Sequence, residues 1–252
     1  MTVDDLRERF HPRRYLPESW LRLVRSELGP IIGLMLLGAA VLAFGNIAEE
    51  TLEGDTHAFD RTVLLALRSA TDLADPIGPS WVEEMARDIT SLGSMAVLTM
   101  VSLVVIGYLA LHGRRRAGFL ILVSVGGGML LSTGLKLLFG RSRPDLVPHG
   151  MEVYTASFPS GHAMLSAVTY LTLGALLARV QPSRRAKVYP LTVAVFLTLM
   201  VGMSRIYLGV HWPTDVLAGW SVGAAWALFC WLVALFIQRR APGSLDSGNI
   251  DR

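Results

Sequence analysis

Long apolar runs separated by short polar clusters set the layout of this chain. A helix needs about 20 apolar residues to cross a bilayer core. Six stretches come near that length, at residues 28–48, 89–111, 117–135, 163–178, 188–204 and 216–238. The fourth and fifth are short, and polar neighbours complete them if those neighbours face protein interior instead of lipid. The pattern predicts an all-α integral membrane bundle of six transmembrane helices, with both termini on one side.

The connections carry weaker patterns. Over residues 57–68, Phe59, Val63, Leu64 and Leu67 fall on one helical face, which predicts a short helix lying in the membrane interface. Asp75-Pro76 and Gly78-Pro79 punctuate the segment before Trp81 starts a second short helix. Residues 17–27 predict a surface helix with Trp20, Leu21 and Val24 toward lipid and Arg22 and Arg25 toward headgroups. The first apolar run is long for a signal-peptide core and lacks a small-residue cleavage site, so it is expected to remain as an anchor. The expected division is a cytoplasmic interfacial segment over residues 1–27, a membrane domain over 28–240 and a disordered polar tail over 241–252.

Composition agrees with a membrane protein. The 252 residues are 52% hydrophobic and only 17% charged, with a mean hydropathy of +0.47, too apolar for an ordinary soluble domain. The single cysteine, Cys230, lies inside an apolar run and excludes a disulfide framework or a cysteine zinc site.

The net charge of +3 says less than its distribution. Arg7, Arg9, Arg13, Arg14, Arg22 and Arg25 precede the first span, Arg114, Arg115 and Arg116 join the second to the third, Arg184, Arg185 and Lys187 join the fourth to the fifth, and Arg239 and Arg240 follow the sixth. All fall on one face, which the positive-inside rule makes cytoplasmic. The basic residues lack the aromatic interleaving of a nucleic-acid surface, so no nucleic acid partner is expected. The implied location is the plasma (inner) membrane. The oligomeric state is not encoded in any pattern of this kind.

Basic residues on the other side break that bias. Lys136, Arg141, Arg143 and Arg205 fall on the opposite face, beside the acidic connection of residues 49–88. Basic groups held on that side need another reason to be there, and anion binding is one. They belong to three clusters: Lys136-Leu137-Leu138-Phe139-Gly140-Arg141-Ser142-Arg143-Pro144, then Pro159-Ser160-Gly161-His162, then Ser204-Arg205 with His211 and Asp215. Lys136, Arg143 and Arg205 suit the charge that a transferring phosphoryl group spreads over its oxygens, although each alone is equally a residue snorkelling from a helix end. Ser160 and Gly161 offer the N–H groups of a helix first turn to an anion, with helix capping as the competing role of Ser160.

His211 and Asp215 are four apart and meet either on one helix face or across the Trp212-Pro213-Thr214 turn. Asp215 also suits a helix cap, and His162 an interfacial histidine. Arg141 fits either a second phosphate or the headgroups. Asp145 reads as a turn residue, and His57, His112 and His149 lack motif partners. Ser166 and Thr169 are expected to bond to backbone. Gly126, Gly127 and Gly128 permit close helix approach or serve ordinary packing. No carboxylate cluster suits Mg2+, and no metal or other cofactor is expected.

Together the clusters read K-x6-R-P, P-S-G-H and S-R-x5-H-x3-D, and the region from about residue 88 to 219 resembles the type 2 phosphatidic acid phosphatase (PAP2) family, which shares its site plan with vanadium haloperoxidases. The resemblance implies that His211 is a nucleophile forming a phosphohistidine and that Asp215 orients it. It implies that His162 protonates the leaving oxygen and activates water, while Lys136, Arg143, Ser160, Gly161 and Arg205 bind phosphate. The implied substrate is a lipid phosphate such as phosphatidic acid, phosphatidylglycerol phosphate or undecaprenyl diphosphate, cleaved on the periplasmic or extracellular face. Two alternatives remain at this level. A vanadium-dependent haloperoxidase fits the constellation but not the membrane spans. A non-enzymatic lipid transporter fits the spans, but places its charges near the bilayer midplane instead of at one boundary.

Overall fold

The computed structural model describes residues 18–145 and 156–240, with side chains from residue 27 onward. Eight helices follow in order: α1 (Glu18–Glu53), α2 (His57–Ala66), α3 (Ser80–Ser91), α4 (Met95–Leu111), α5 (Arg115–Phe139), α6 (Gly161–Arg179), α7 (Arg184–Tyr207) and α8 (Pro213–Arg240). The described residues form no strand, only an isolated bridge between Arg68 and Pro76. Residues 27–53 of α1, together with α5, α6, α7 and α8, are each long and apolar enough to cross a membrane, and α3 with α4 makes a sixth candidate bent by 48°. His149, the arginines before residue 18 and the tail over 241–252 lie outside the described residues.

Three expectations change. From residue 18 onward, the expected surface helix is the start of α1, which continues without a break through Pro30 to Glu53. The second span is not one straight helix from residue 89. It breaks at Leu92-Gly93-Ser94, and Ser94 starts α4 by accepting the N–H of Val97 at 3.3 Å. The corner packs on α6, where the Tyr170 hydroxyl donates to the Leu92 carbonyl at 2.7 Å. A Cβ on Gly93 would collide with Val201 Cγ1 and stand 3.3 Å from the His162 carbonyl, so the corner seats closely on α6 and α7 because it carries no side chain there.

The third change concerns α2. Its apolar face packs on protein instead of lipid: Leu64 is wholly buried with Ala163, Ile206, Trp212 and Val216, and Val63 and Leu67 close over them. Burying one leucine stabilises by about 1.5–3 kcal/mol, which favours docking the short helix on the bundle. Phe59, expected on that face, is 52% exposed. The following loop is tied to the end of α7, where Arg68 Nη2 donates to the Tyr207 carbonyl and the Tyr207 hydroxyl donates to the Ile77 carbonyl at 2.8 Å.

Helix α6 is the centre of the bundle, against α5, α7 and α8, while α1 packs along α8 and α4 against α5 and α6. Small residues let α6 and α8 meet. A Cβ on Gly219 would lie 2.7 Å from the Ser160 carbonyl, and one on Gly223 would lie 2.5 Å from the Met164 carbonyl. In α5, Gly127 and Gly128 face Trp226 and Val168 in the same close manner, whereas Gly126 faces open space. Ser166 donates to the Ala163 carbonyl at 3.0 Å as expected, but the Thr169 hydroxyl has no partner among the described residues. Outward-facing positions carry large apolar side chains, among them Met35, Leu42, Leu103, Leu130 and Leu137, the surface a lipid-facing bundle presents.

Candidate active site

Every cluster ends on the same end of the bundle. Lys136 lies in the last turn of α5, which stops at Gly140 in the left-handed conformation (φ 56°). Arg141 and Arg143 follow outside any helix, Ser160 precedes α6, Arg205 lies in the last turn of α7, and His211 and Asp215 flank the start of α8. The backbone N–H of Ser160 donates to the Asp215 carbonyl at 2.9 Å and joins the second cluster to the third. Phe158, wholly buried between Phe44 and Phe139, holds the strand of chain before α6 in place.

His211 is buried, and its two ring nitrogens face different partners. Nδ1 lies 3.4 Å from Asp215 Oδ2 and 3.2 Å from the Ser157 hydroxyl, which itself donates to Asp215 Oδ2. An ionised carboxylate accepts only, so Nδ1 carries the proton and Nε2 keeps its lone pair. Nε2 lies 3.4 Å from Arg143 Nη1, which also donates to the Val210 carbonyl at 2.9 Å. Burial pushes the His211 pKa down from 6.5 to about 4, outweighing the pull of Asp215 in the other direction, so the ring is neutral at physiological pH.

Asp215 has two duties. Helix α8 opens with Pro213, and Asp215 reaches back to accept the Trp212 N–H at 2.9 Å, closing the first turn. Asp215 is thus the third residue of α8 and not its N-cap: its carboxylate accepts the N–H of the N-cap Trp212 and contacts His211 across the turn.

The cations surround the same spot. A Cβ on Gly161 would lie 3.6 Å from Lys136 Nζ, so the ammonium sits beside the first turn of α6. Arg205 Nη1 donates to the Thr90 hydroxyl at 3.2 Å, and its Nε is buried without a partner among the described residues. The Ser160 hydroxyl is likewise buried and unpartnered, and it makes no capping bond to its own helix. Unpaired buried donors are costly, and a bound anion oxygen would relieve both. Burial lowers the pKa of Arg143 from its ordinary value, though an arginine so placed stays charged. His162 feels the charge of Arg205, Lys136 and Arg143 and lies in electrostatic reach of His211. All eight predicted residues thus gather at one place.

Other polar residues of the site carried no motif. Arg141 serves neither a second phosphate nor the headgroups: its Nη1 donates to Asp215 Oδ1 and its Nη2 to Asp60 Oδ2, each at 2.7 Å. Asp60 also accepts from the Thr214 N–H and hydroxyl at 2.9 and 2.6 Å. His57, expected at the surface, is exposed but lies tilted against Trp212 at 5.6 Å between ring centroids. One signal for Asp60 is in the sequence. Residues 60, 63, 64 and 67 have helical i, i+3, i+4, i+7 spacing, so a carboxylate stands on the apolar stripe of α2. No comparable pattern marks Ser157 or Thr90.

A multi-pass helical bundle with an oriented imidazole and three cations at one membrane boundary defines a membrane enzyme of phosphate esters. A family model, the PAP2 superfamily, matches residues 117–239, from the start of α5 to the end of α8. Phosphatidylglycerophosphatase B of Bacillus subtilis is 35% identical over 145 residues, 57% of this chain and 70% of that protein. Decaprenylphosphoryl-5-phosphoribose phosphatase of Mycobacterium tuberculosis is 33% identical over 168 residues, 64% of this chain and 83% of that one. The crystal structure of a transmembrane PAP2 type phosphatidylglycerolphosphate phosphatase from Bacillus subtilis superimposes with a TM-score of 0.67 at 27% identity, covering 82% of this chain and 98% of that one. The chain belongs to the PAP2 superfamily, and it is a membrane-spanning phosphoric ester hydrolase.

Proposed function

We propose that this enzyme removes phosphate from a phosphate monoester or diphosphate of an amphiphilic lipid, through a phosphohistidine at His211. One observation carries the reading: His211 is held neutral, with Nδ1 turned to Asp215 and Ser157 and with Nε2 beside the Arg143 guanidinium. A lone pair placed next to a cation meets the phosphorus of an ester whose oxygens that cation binds.

Lys136, Arg143, Arg205 and the Gly161 N–H receive the phosphate oxygens, and because the Ser160 N–H is spent on the Asp215 carbonyl, Ser160 contributes its unspent hydroxyl, which with Arg205 Nε completes the cradle. His211 Nε2 attacks phosphorus, and the bond from phosphorus to the leaving oxygen breaks. His162, protonated once the negative charge of the bound phosphate offsets the surrounding cations, gives its proton to that oxygen. The imidazolium character of the phosphorylated His211 is stabilised by Asp215. Water then attacks the phosphorus, His162 takes the proton from the water, the N–P bond breaks and inorganic phosphate leaves. Three side-chain cations supply the charge compensation that a divalent metal gives elsewhere, so the reaction is metal-independent.

The substrate's apolar part stays in the bilayer. Leu137 and Leu138, directly after Lys136, are 83% and 75% exposed and face the lipid at the rim of the site. Phosphatidylglycerol phosphate, phosphatidic acid and polyprenyl phosphates or diphosphates all have this form, and the named relatives act on lipids of that kind. The basic ends of α5, α7 and α8 lie opposite the site, which supports a site on the outer face of the plasma membrane. The test is release of inorganic phosphate by the detergent-purified chain from a panel of these lipids. Absence of release from every lipid phosphate, with the protein folded, would remove the proposal.

A further inference from the structure

Asp60 lies on α2, before every motif and before the span matched by the family model, yet it is wholly buried against the site. Its Oδ1 accepts the Thr214 N–H at 2.9 Å, in the first turn of α8. Its Oδ2 accepts the Thr214 hydroxyl at 2.6 Å and Arg141 Nη2 at 2.7 Å. Arg141 Nη1 in turn donates to Asp215 Oδ1 at 2.7 Å and to the Thr214 hydroxyl at 2.9 Å. The opposite oxygen of Asp215 faces His211 Nδ1, Ser157 and the Trp212 N–H. An unbroken polar chain therefore runs from α2 through one guanidinium to the imidazole.

We propose that Asp60 is a positioning residue for His211, acting through Arg141 and Asp215. Planar guanidinium and carboxylate groups prefer a paired, two-pronged contact. Without Asp60, Arg141 Nη2 would keep only the long contact to the Thr56 hydroxyl at 3.4 Å, and the guanidinium would draw both Asp215 oxygens to itself. Asp60 holds Nη2 away, so Asp215 gives Arg141 one oxygen and keeps the other for His211. The same carboxylate fixes the first turn of α8 from outside, by accepting an N–H that a helix start leaves unpaired. Asp60 thereby sets both the direction of Asp215 and the share of its charge that reaches the imidazole. A wholly structural Asp60 would stabilise the fold without altering the His211 tautomer.

The inference rests on His211 as nucleophile, so the experiment separates the two. With full-length protein in detergent and an activated aryl phosphate, His211→Ala should be inactive. Asp60→Asn should lower kcat about 10-fold to 100-fold, the scale of a small misplacement of a reacting group, with KM within about 2-fold. Histidine 15N spectra of Asp60→Asn should show the His211 Nδ1–H tautomer losing population. The comparison variant Leu64→Ala loosens α2 but leaves Arg141 its partners, and should lower the thermal midpoint while keeping kcat and tautomer near wild type. If Asp60→Asn does not fold, Asp60→Asn with Arg141→Gln removes the guanidinium that would claim both Asp215 oxygens, so the His211 Nδ1–H tautomer should stay near wild type, and its loss in the double variant would contradict the proposal. Wild-type kcat and tautomer in the Asp60 variant, or losses that simply track the thermal midpoint in both variants, would overturn the proposal. Activity in His211→Ala would instead overturn the nucleophile.

Discussion

Gly219 lies against Ser160 so closely that a Cβ there would stand 2.7 Å from the Ser160 carbonyl. One turn earlier on the same helix, Asp215 accepts the Ser160 N–H at 2.9 Å. Helices α6 and α8 can bring their starts together at the site because this crossing has no side chain in it. Gly219→Ala should therefore force the two starts apart, costing about 1–3 kcal/mol and most of the activity. Gly107→Ala, where nothing lies within 4 Å, is the control and should change neither. Thermal midpoints and phosphate release of both variants check this, and an active, stable Gly219→Ala would contradict the close crossing.

The two histidines should separate by role. With an alkyl phosphate, whose leaving oxygen needs a proton, His211→Ala and His162→Ala should each lose about two decades of rate or more. With an activated aryl phosphate, His162→Ala should keep a burst of aryl alcohol and then turn over slowly, while His211→Ala should show neither. Rapid-quench kinetics decides the matter. A burst in His211→Ala would remove it as nucleophile, and equal loss of the burst in both would remove His162 as the leaving-group acid.

His211 should titrate near 4 instead of the ordinary 6.5. Between those values the unfolded ring binds a proton that the folded one refuses, so its effect on stability worsens as pH falls from about 6.5 to about 4 and is flat above. The thermal midpoint of wild type relative to His211→Gln should fall over that window. Histidine 15N NMR should show, at pH 5.5, a neutral ring that is missing from the spectrum of His211→Gln. A ring that titrates at or above 6.5 contradicts the burial argument.

Vanadate should inhibit and EDTA should not. Vanadate adopts the five-coordinate geometry of phosphorus in transfer and would take the place of the phosphate among Lys136, Arg143 and Arg205. Loss of phosphate release on chelation, restored by Mg2+, would reject a site built on side-chain cations alone.

Orientation can be read by labelling. In a Cys230→Ser background, Ala70→Cys in the exposed loop after α2 should react with a membrane-impermeant maleimide in intact cells, and Arg115→Cys should not. The reverse pattern would place the site on the cytoplasmic face.

The site's motif residues are legible in the sequence because phosphate chemistry demands particular side chains at particular spacings, and the apolar runs put those side chains at one boundary. The spans are legible for a related reason, since hydrocarbon tolerates only long apolar helices. The bend at Gly93 is not, because a hydropathy window reads residues 89–111 as one run, and the break is stabilised by contacts with Tyr170 and His162 far along the chain. The placement of α2 fails for a similar reason. An apolar helical face looks alike whether lipid or protein covers it, and only Asp60 within that face distinguishes the two. Arg141 escapes because both of its partners come from distant segments, at residues 60 and 215.

The contact between α2 and the start of α8 also limits how this enzyme can be recombined. Residues 117–239 hold every motif and look like a transplantable cassette, yet Thr214 and Arg141 inside that span are completed by a carboxylate at residue 60. A chimera that joins the cassette to the N-terminal third of another phosphatase inherits two buried donors and must supply an acceptor for them. Swaps made at a boundary before α2, which keep Asp60 with its own cassette, should give working hybrids far more often than swaps made at the start of α5.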